Sequence, residues 1–299
     1  MPDDSELTAL AARLKSARVL CVGDVMLDRA AFGTLVPDGG ATPVLSVESE
    51  TRRVSGAGRV LRDLAVLGAA ASFVSVVGND DAGREIERLM ADEAGAEIHL
   101  LVQPDRRTAS RSRFVAAGRT LLRADHESAA PLGPYIREDL LRLARELVTT
   151  QGAVVISDHG QGVLTEGVAL EIIKAAREAG ARTVVAAEGG DPIRYRGADL
   201  LTATPRELAQ ATGMPVEDRG AVIAAAGALI DRCALGGLLV SRPGAGMVLV
   251  EPGGAVFAEP DAADDPGVAV IAAALGAGLP PRAALRVAAA GNRLISTAE

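Results

Sequence analysis

Short apolar runs alternate along the chain with segments of helical periodicity. The apolar runs predict buried strands at Arg18–Gly23, Ser72–Gly78, Ala153–Ser157, Thr183–Ala187, Leu200–Thr202 and Gly237–Ser241. Apolar residues three to four positions apart predict helices at Ala57–Leu67, Asp81–Glu93, Glu166–Ala179 and Gly220–Arg232. Continuous apolar strands separated by helices are typical of a parallel sheet that is covered on both faces. The pattern therefore predicts an α/β fold.

Two stretches depart from this rhythm. Gly33–Arg53 begins with prolines and glycines and continues as an alternating polar and apolar strand. Thr108–Ala124 contains two alternating strands around Ala117–Gly118, which predicts a β-hairpin. Half-polar strands of this kind fit a small sheet with one solvent-exposed face, such as a lid or a dimerisation platform. We therefore expect one domain over residues 1–299, with lid strands from about 33–53 and 108–124.

Composition and charge narrow the class of protein. The chain has 299 residues, a net charge of −8, 2% aromatic residues and no tryptophan, which argues against a nucleic-acid partner. No apolar run reaches the roughly 18 residues that would span a bilayer, so we expect no membrane partner. The two cysteines and three histidines show no metal-ligand spacing, which predicts a reducing cytoplasm and no metal site.

Candidate ligand-binding residues follow the first two predicted elements. Asp24 comes directly after the first strand, where ligands bind in open α/β sheets, so its carboxylate is placed to accept hydrogen bonds from sugar hydroxyls. The alternative is that Asp24 or Asp28 only caps a turn. Small residues at Ser55–Asp63 open the next helix, where a ligand can approach the backbone and the helix N-terminus favours anions. A plain helix start explains that segment equally well.

Taken in order, six segments resemble the ribokinase (phosphofructokinase-B) family of carbohydrate kinases. They are VGDVMLDR (22–29), SGAGRVLRDLAVLGA (55–69), VGNDDAGR (77–84), TASRSRFVAAGRTLLRADHE (108–127), ISDHGQGVL (156–164) and RYRGADLLT (194–202). The likeness is collinear over nearly the whole chain and is closest to the D-glycero-β-D-manno-heptose-7-phosphate kinase type. It implies a three-layer ribokinase-like fold with a mostly parallel central sheet and a small β lid.

The resemblance also implies ligands and site residues. It implies ATP and Mg²⁺ as cofactors of an active member, a sugar phosphate or nucleotide as ligand, and a homodimer formed through the lid sheet. The residues implied in substrate binding are Asp24, Gly56, Arg59 and Arg123. Those implied in nucleotide binding are Thr204, Glu207, Ser241 and Gly246. Asp265 aligns with the carboxylate that takes the proton from the sugar hydroxyl.

Several positions depart from the family's pattern. Where the family has glycines whose backbone amides stabilise the transferring phosphate, the chain has Ala262, Ala263 and Asp264. The carboxylate of Asp264 would repel an anionic phosphoryl group. Further substitutions are Arg59 for asparagine, Gln161 for lysine, Ala186-Ala187-Glu188 for Asp-Pro-Lys and Thr204 for asparagine. Because phosphoryl transfer depends on positioning and electrostatics, these changes together predict impaired catalysis.

Three functional hypotheses follow from these residues. The first is a catalytically impaired sugar-kinase relative that still binds a sugar phosphate or nucleotide, or serves as a partner subunit. The second is a divergent but active ATP-dependent carbohydrate kinase with Asp265 as its base. The third is a scaffold protein that has lost small-molecule binding and keeps only a dimer surface.

Overall fold

The main sheet has nine strands and is mostly parallel. The computed structural model describes residues 9, 12–36, 42–91, 95–165, 167–242, 246–258 and 267–296, with residues 290–296 described by their backbone alone. The strands run in the order β13-β12-β11-β10-β9-β8-β1-β4-β5, and all the pairings are parallel except β11 with β12 and β12 with β13. Their bounds are β1 Arg18–Gly23, β4 Ala70–Gly78, β5 Ala96–Gln103, β8 Ala153–Asp158, β9 Arg182–Ala187, β10 Leu200–Ala203, β11 Leu238–Arg242, β12 Gly246–Glu251 and β13 Gly254–Ala258.

Helices cover both faces of this sheet, as continuous apolar strands require. The helices are α1 Ala57–Val66, α2 Asp81–Ala91, α3 Pro134–Val148, α4 Val168–Ala179, α5 Pro205–Thr212, α6 Arg219–Cys233, α7 Val268–Gly276 and α8 Pro281–Ser296. Along β1, Val19 and Cys21 enter one hydrophobic cluster with α1 and α7, whereas Leu20 and Val22 enter a second cluster with α3, α4 and α6. The predicted α/β fold, with its three layers, is confirmed.

A second, four-stranded sheet forms the lid. Its strands are β2 Val25–Val36, β3 Val44–Gly56, β6 Ser110–Ala116 and β7 Arg119–His126, in the order β3-β2-β6-β7. These strands include much of 33–53 and 108–124, but β2 already begins at Val25, directly after Asp24. The hairpin predicted around Ala117–Gly118 is confirmed, because both residues have positive φ (47° and 72°) as a two-residue type I′ turn requires.

The chain topology places a crevice at the end of β1. Parallel neighbours β4 and β8 flank β1 on its two sides, so the direction of strand progression changes there. Ligands of open α/β sheets bind at such a point, outside the carboxyl ends of the strands. Within the described residues, no helix is long and apolar enough to cross a membrane.

Candidate ligand cleft at the carboxyl ends of the strands

Asp24 lies in this crevice, but its carboxylate is already occupied. The residue is fully buried (0% exposed). Its Oδ2 accepts hydrogen bonds from the amides of His159 (2.8 Å) and Gln161 (3.0 Å), and its Oδ1 accepts one from the amide of Val163 (3.0 Å). Both oxygens of this carboxylate therefore already have protein donors, and no donor from a ligand is needed to satisfy them. In this structure Asp24 therefore fixes the loop after β8, in contrast to the expected contact with a sugar.

A second buried carboxylate fixes the same loop from the other side. Asp158 accepts hydrogen bonds from the amide of Gly160 (2.9 Å) and from the phenol of Tyr195 (2.6 Å), and Arg194 lies 3.4 Å away. Burial raises the pKa of the Asp24 carboxyl, and the nearby Asp158 charge raises it further. The loop is thus built around two acidic groups in low-dielectric surroundings.

Gln161, which replaces a lysine of the family's pattern, has a structural role in this loop. Its side-chain Oε1 accepts a hydrogen bond from the amide of Ser128 (3.0 Å) and its Nε2 donates to the carbonyl of His159 (3.2 Å). The buried Arg106 donates to the carbonyls of Gln161, Ser128 and Ala130. These bonds join the loop after β8 to the chain that leaves the lid, so no cation at position 161 faces the crevice.

The lid presents charged side chains on the face that we call the inner lid face: Asp28, Arg111, Arg113, Arg123 and Asp125. Asp28 lies across from Arg111, and Arg111 across from Asp125, so the three side chains share one face. Arg113 and Arg123 lie across from each other, two residues further along the same strands. Arg123 forms a forked hydrogen bond with Asp125, with Nε donating at 2.9 Å.

Asp28 is the ligand-binding candidate that sequence reasoning passed over. Its Oδ2 accepts a hydrogen bond from Arg113 (2.9 Å), whereas its Oδ1 is buried without any hydrogen-bond partner. A buried carboxylate oxygen without a donor is costly, and a ligand hydroxyl would satisfy it. The sequence signal for Asp28 is its place four residues beyond Asp24, and a turn cap is the alternative that the sequence leaves open.

His159 and Glu188 form a hydrogen-bonded pair at the ends of β8 and β9. His159 Nδ1 lies 3.0 Å from Glu188 Oε1, and its Nε2 lies 3.1 Å from the hydroxyl of Ser157. This order of serine, histidine and carboxylate resembles a nucleophile with its base. Ser157 is nevertheless fully buried (0% exposed), so a substrate carbonyl cannot reach the hydroxyl, and the arrangement is not an acyl-transfer site.

Two other expected substrate-binding residues lie at helix α1. Gly56 precedes the helix with φ 65°, and a Cβ there would collide with the Asp24 carbonyl, so a glycine is required for this close approach. Arg59 is largely exposed and lies 3.7 Å from Asp63, one helical turn away. The structure therefore brings Asp24 and Gly56 together, while Arg59 is engaged on the helix surface.

The expected nucleotide-binding residues lie at the ends of β10 and β11. Thr204 and Glu207 cap α5 reciprocally: the Glu207 carboxylate accepts from the amide (2.8 Å) and hydroxyl (2.9 Å) of Thr204. Ser241 is buried on β11, and Gly246 begins β12 with φ 77°. The expected base, Asp265, lies outside the described residues.

The described residues at this end of the sheet give little support to a magnesium–triphosphate group. Both oxygen-bearing side chains of the capping box are bonded to each other, and Glu188 adds a negative charge at the neighbouring strand end. A cavity of about 180 Å³ beside α5 is lined by Gly189, Gly190 and Glu207, among others. In the described part of the chain, no group of three or more histidine, cysteine or acidic side chains is arranged to hold a metal ion.

Comparison with known proteins identifies relatives of this chain. The chain is 42% identical over 303 residues to the bifunctional protein HldE of Paramagnetospirillum magneticum, covering 96% of this chain and 62% of the relative. It is 41% identical over 293 residues to bifunctional protein HldE of Rhodospirillum rubrum, covering 94% and 59%. The chain thus spans about six-tenths of the length of the curated relatives it matches.

Solved structures with low sequence identity share the fold. Ribokinase of Arabidopsis thaliana, complexed with ribose and ATP, matches with a TM-score of 0.72 at 20% identity, covering 92% of this chain and 91% of that chain. The tetrameric inhibited form of phosphofructokinase-2 from Escherichia coli matches with a TM-score of 0.76 at 19% identity, covering 94% and 95%. The family model described as pfkB family carbohydrate kinase matches residues 16–296, and the chain therefore belongs to the pfkB family of carbohydrate kinases.

Proposed function

We propose that this protein binds a sugar phosphate between its lid and the carboxyl ends of its strands, and that phosphoryl transfer is impaired. The observation that carries the binding is the unsatisfied Oδ1 of Asp28, which lies on the inner lid face among three arginines. A sugar hydroxyl would supply the missing donor. The guanidinium groups of Arg111, Arg113 and Arg123 suit a phosphate, since their planar N–H donors match its oxygens.

The proposal of impaired phosphoryl transfer rests on the side chains at the carboxyl ends of the strands. Phosphoryl transfer needs cations and amide donors around the moving phosphate. At the described strand ends, Gln161 is neutral and enclosed in the loop after β8, and Glu188 carries negative charge towards the cleft. The substitutions at 262–264 lie outside the described residues and support the same proposal from the sequence.

A divergent active kinase is the second candidate. It is favoured by the 42% identity to a bifunctional HldE protein over 96% of this chain. On that hypothesis, ATP and Mg²⁺ are the cofactors and Asp265 is the base. The two candidates differ in one observable, the ATP-dependent phosphorylation of a bound sugar.

We also propose a homodimer that forms through the outer lid face, which we define by Ala31, Phe114 and Leu122. These three residues lie across from one another on β2, β6 and β7. Large apolar side chains of the lid are solvent-exposed, including Leu35 (46%), Val47 (48%) and Leu122 (58%). Exposed apolar side chains on one sheet face favour an interface. Sedimentation of wild type and Leu122→Asp at micromolar concentration tests this, with a monomeric wild type as the contradicting result.

Calorimetric titration tests ligand binding. Heptose 7-phosphate should bind to the wild type and to a surface control, Glu217→Gln, with equal affinity. Asp28→Ala should bind at least tenfold more weakly, because the sugar hydroxyl loses its acceptor, and Arg123→Gln should lose affinity for the phosphate but not for the unphosphorylated sugar. No binding by the wild type, or equal binding by Asp28→Ala, would refute the proposal.

A further inference from the structure

The His159–Glu188 pair has no role in the proposed sugar-binding contacts, yet it is held firmly at the rim of the cleft. The His159 amide donates to Asp24, and the Glu188 amide donates to the carbonyl of Asp158 (2.8 Å). The imidazole is fixed at both nitrogens, by Glu188 and by Ser157. Its side chain is 19% exposed, whereas that of Glu188 is 68% exposed. The carboxylate of Glu188 is therefore solvent-exposed, whereas the backbone and imidazole that hold it are fixed by hydrogen bonds.

The charges around this pair come from three sides. Asp24 and Asp158 lie behind the imidazole, and both favour its protonated form. Arg111 and Arg123 of the inner lid face act on Glu188 and help to lower its pKa. Among the described residues neither arginine lies within 4 Å of Glu188, and both are instead near Asp125. The lid arginines therefore act on Glu188 electrostatically across the cleft, without forming an ion pair with it.

We propose that Glu188 and His159 form a proton-dependent charge that determines how strongly the cleft binds an anionic ligand. The inference rests on the proposed binding of a sugar phosphate and names what sets the charge specificity of that same site. When His159 is protonated, the pair carries no net charge and does not oppose the attraction between the lid arginines and a phosphate. When His159 is neutral, Glu188 contributes a full negative charge that opposes the phosphate and competes for the same guanidinium groups.

The surroundings of His159 set the direction in which its pKa moves. Burial of the imidazole works to lower the pKa of His159, but the hydrogen bond and charge of Glu188, together with Asp24 and Asp158, outweigh burial and raise the pKa above its ordinary value. Arg106 partly balances Asp24 from the opposite side of the loop. Affinity for a phosphate-bearing ligand should therefore fall as the pH rises through the pKa of His159.

Calorimetry with heptose 7-phosphate and with the unphosphorylated heptose, from pH 5.5 to 9, tests the inference. The variants are Glu188→Gln, His159→Gln and the surface control Glu217→Gln. The phosphate of the ligand also ionises over this pH range, and it does so equally in both titrations. Its effect on affinity therefore cancels in the ratio of wild-type to His159→Gln affinity. One charge acting across the cleft in partly solvated surroundings is worth about fivefold in affinity, so this ratio should fall from about five at low pH to about one at high pH. Glu188→Gln should bind heptose 7-phosphate about fivefold more tightly than the wild type at pH 9.

Three results separate this inference from the proposed function. Unchanged affinities for the unphosphorylated heptose in all variants, with the shifts above for the phosphate, would support the inference. Binding of heptose 7-phosphate with equal affinity and equal pH dependence in wild type, Glu188→Gln and His159→Gln would overturn it and leave the proposed function standing. If neither heptose 7-phosphate nor the unphosphorylated heptose binds, both the inference and the proposed function are refuted. NMR titration of His159 adds an independent readout, since its pKa should fall in Glu188→Gln, and an unchanged pKa would also overturn the inference.

Discussion

Replacing Asp24 with alanine should destabilise the protein by about 3 kcal/mol, because three backbone amides of the loop after β8 lose the carboxylate to which they donate. The amides of His159, Gln161 and Val163 all donate to this carboxylate at 2.8–3.0 Å. Each buried donor left without a partner costs about 1–3 kcal/mol. Removing a buried charge beside Asp158 offsets part of this loss. The net effect is a large fraction of the stability of a typical domain.

Asp28→Ala is the matched comparison, since it removes a second carboxylate only four residues away. It breaks one partly exposed ion pair with Arg113, 2.9 Å, and such pairs contribute about 0–1 kcal/mol. The unsatisfied Oδ1 also disappears. We therefore expect a stability change below about 1 kcal/mol, combined with loss of heptose 7-phosphate binding.

Urea denaturation followed by far-ultraviolet circular dichroism measures both variants, since the chain has no tryptophan to report by fluorescence. The expected pattern is a destabilised Asp24→Ala and a near-native Asp28→Ala. The reasoning would be refuted if Asp24→Ala unfolded within 1 kcal/mol of the wild type while losing the ligand. That result would assign Asp24 to the ligand and show that the loop after β8 does not depend on it.

Three further predictions concern stability and ionisation. Ala234 ends α6 with φ 49°, so Ala234→Gly should raise the unfolding free energy by about 1 kcal/mol in urea; a loss would contradict this. Burial and then Asp158 raise the pKa of Tyr195, so ultraviolet titration should show that Tyr195 stays protonated until alkaline unfolding; its ionisation in the folded protein would contradict this. His159 has a raised pKa in the folded state, so its contribution to the melting temperature is present in acid and declines as pH rises through that pKa. Glu188→Gln should reduce that decline, and an unchanged profile would count against the pairing.

The sheet was predictable because buried parallel strands carry an unmistakable apolar pattern. The strand predicted at Arg18–Gly23 has the observed bounds, and the helix predicted at Gly220–Arg232 differs by one residue at each end. Strand β5 was not predicted. Most of its residues are partly exposed, and its sequence shows neither a continuous apolar run nor a regular alternation of polar and apolar residues. Helix α3 was also missed, although its leucines at 140, 141, 143 and 147 have helical spacing. The early start of β2 was hidden because Asp24 alone separates it from β1.

The cleft was less predictable than the fold, and the two aspartates show why. The sequence places both Asp24 and Asp28 after the first strand, and either carboxylate could face a ligand. What separates them is the loop after β8, whose amides enclose Asp24 from 135–139 residues further along the chain. The partnership of His159 with Glu188 is equally non-local, since adjacent strand ends bring them together. Contacts at such sequence separation leave no local pattern in a single sequence.

The most direct test of the central claim is a single-turnover assay of ATP-dependent phosphorylation of heptose 7-phosphate with Mg²⁺, run on protein shown to bind the sugar. The account predicts binding that depends on Asp28, with no phosphorylated product above that of a no-enzyme control. Robust product formation by the wild type that is lost in Asp265→Asn would contradict it. The protein would then be an active carbohydrate kinase whose transfer site has been rebuilt around Asp265.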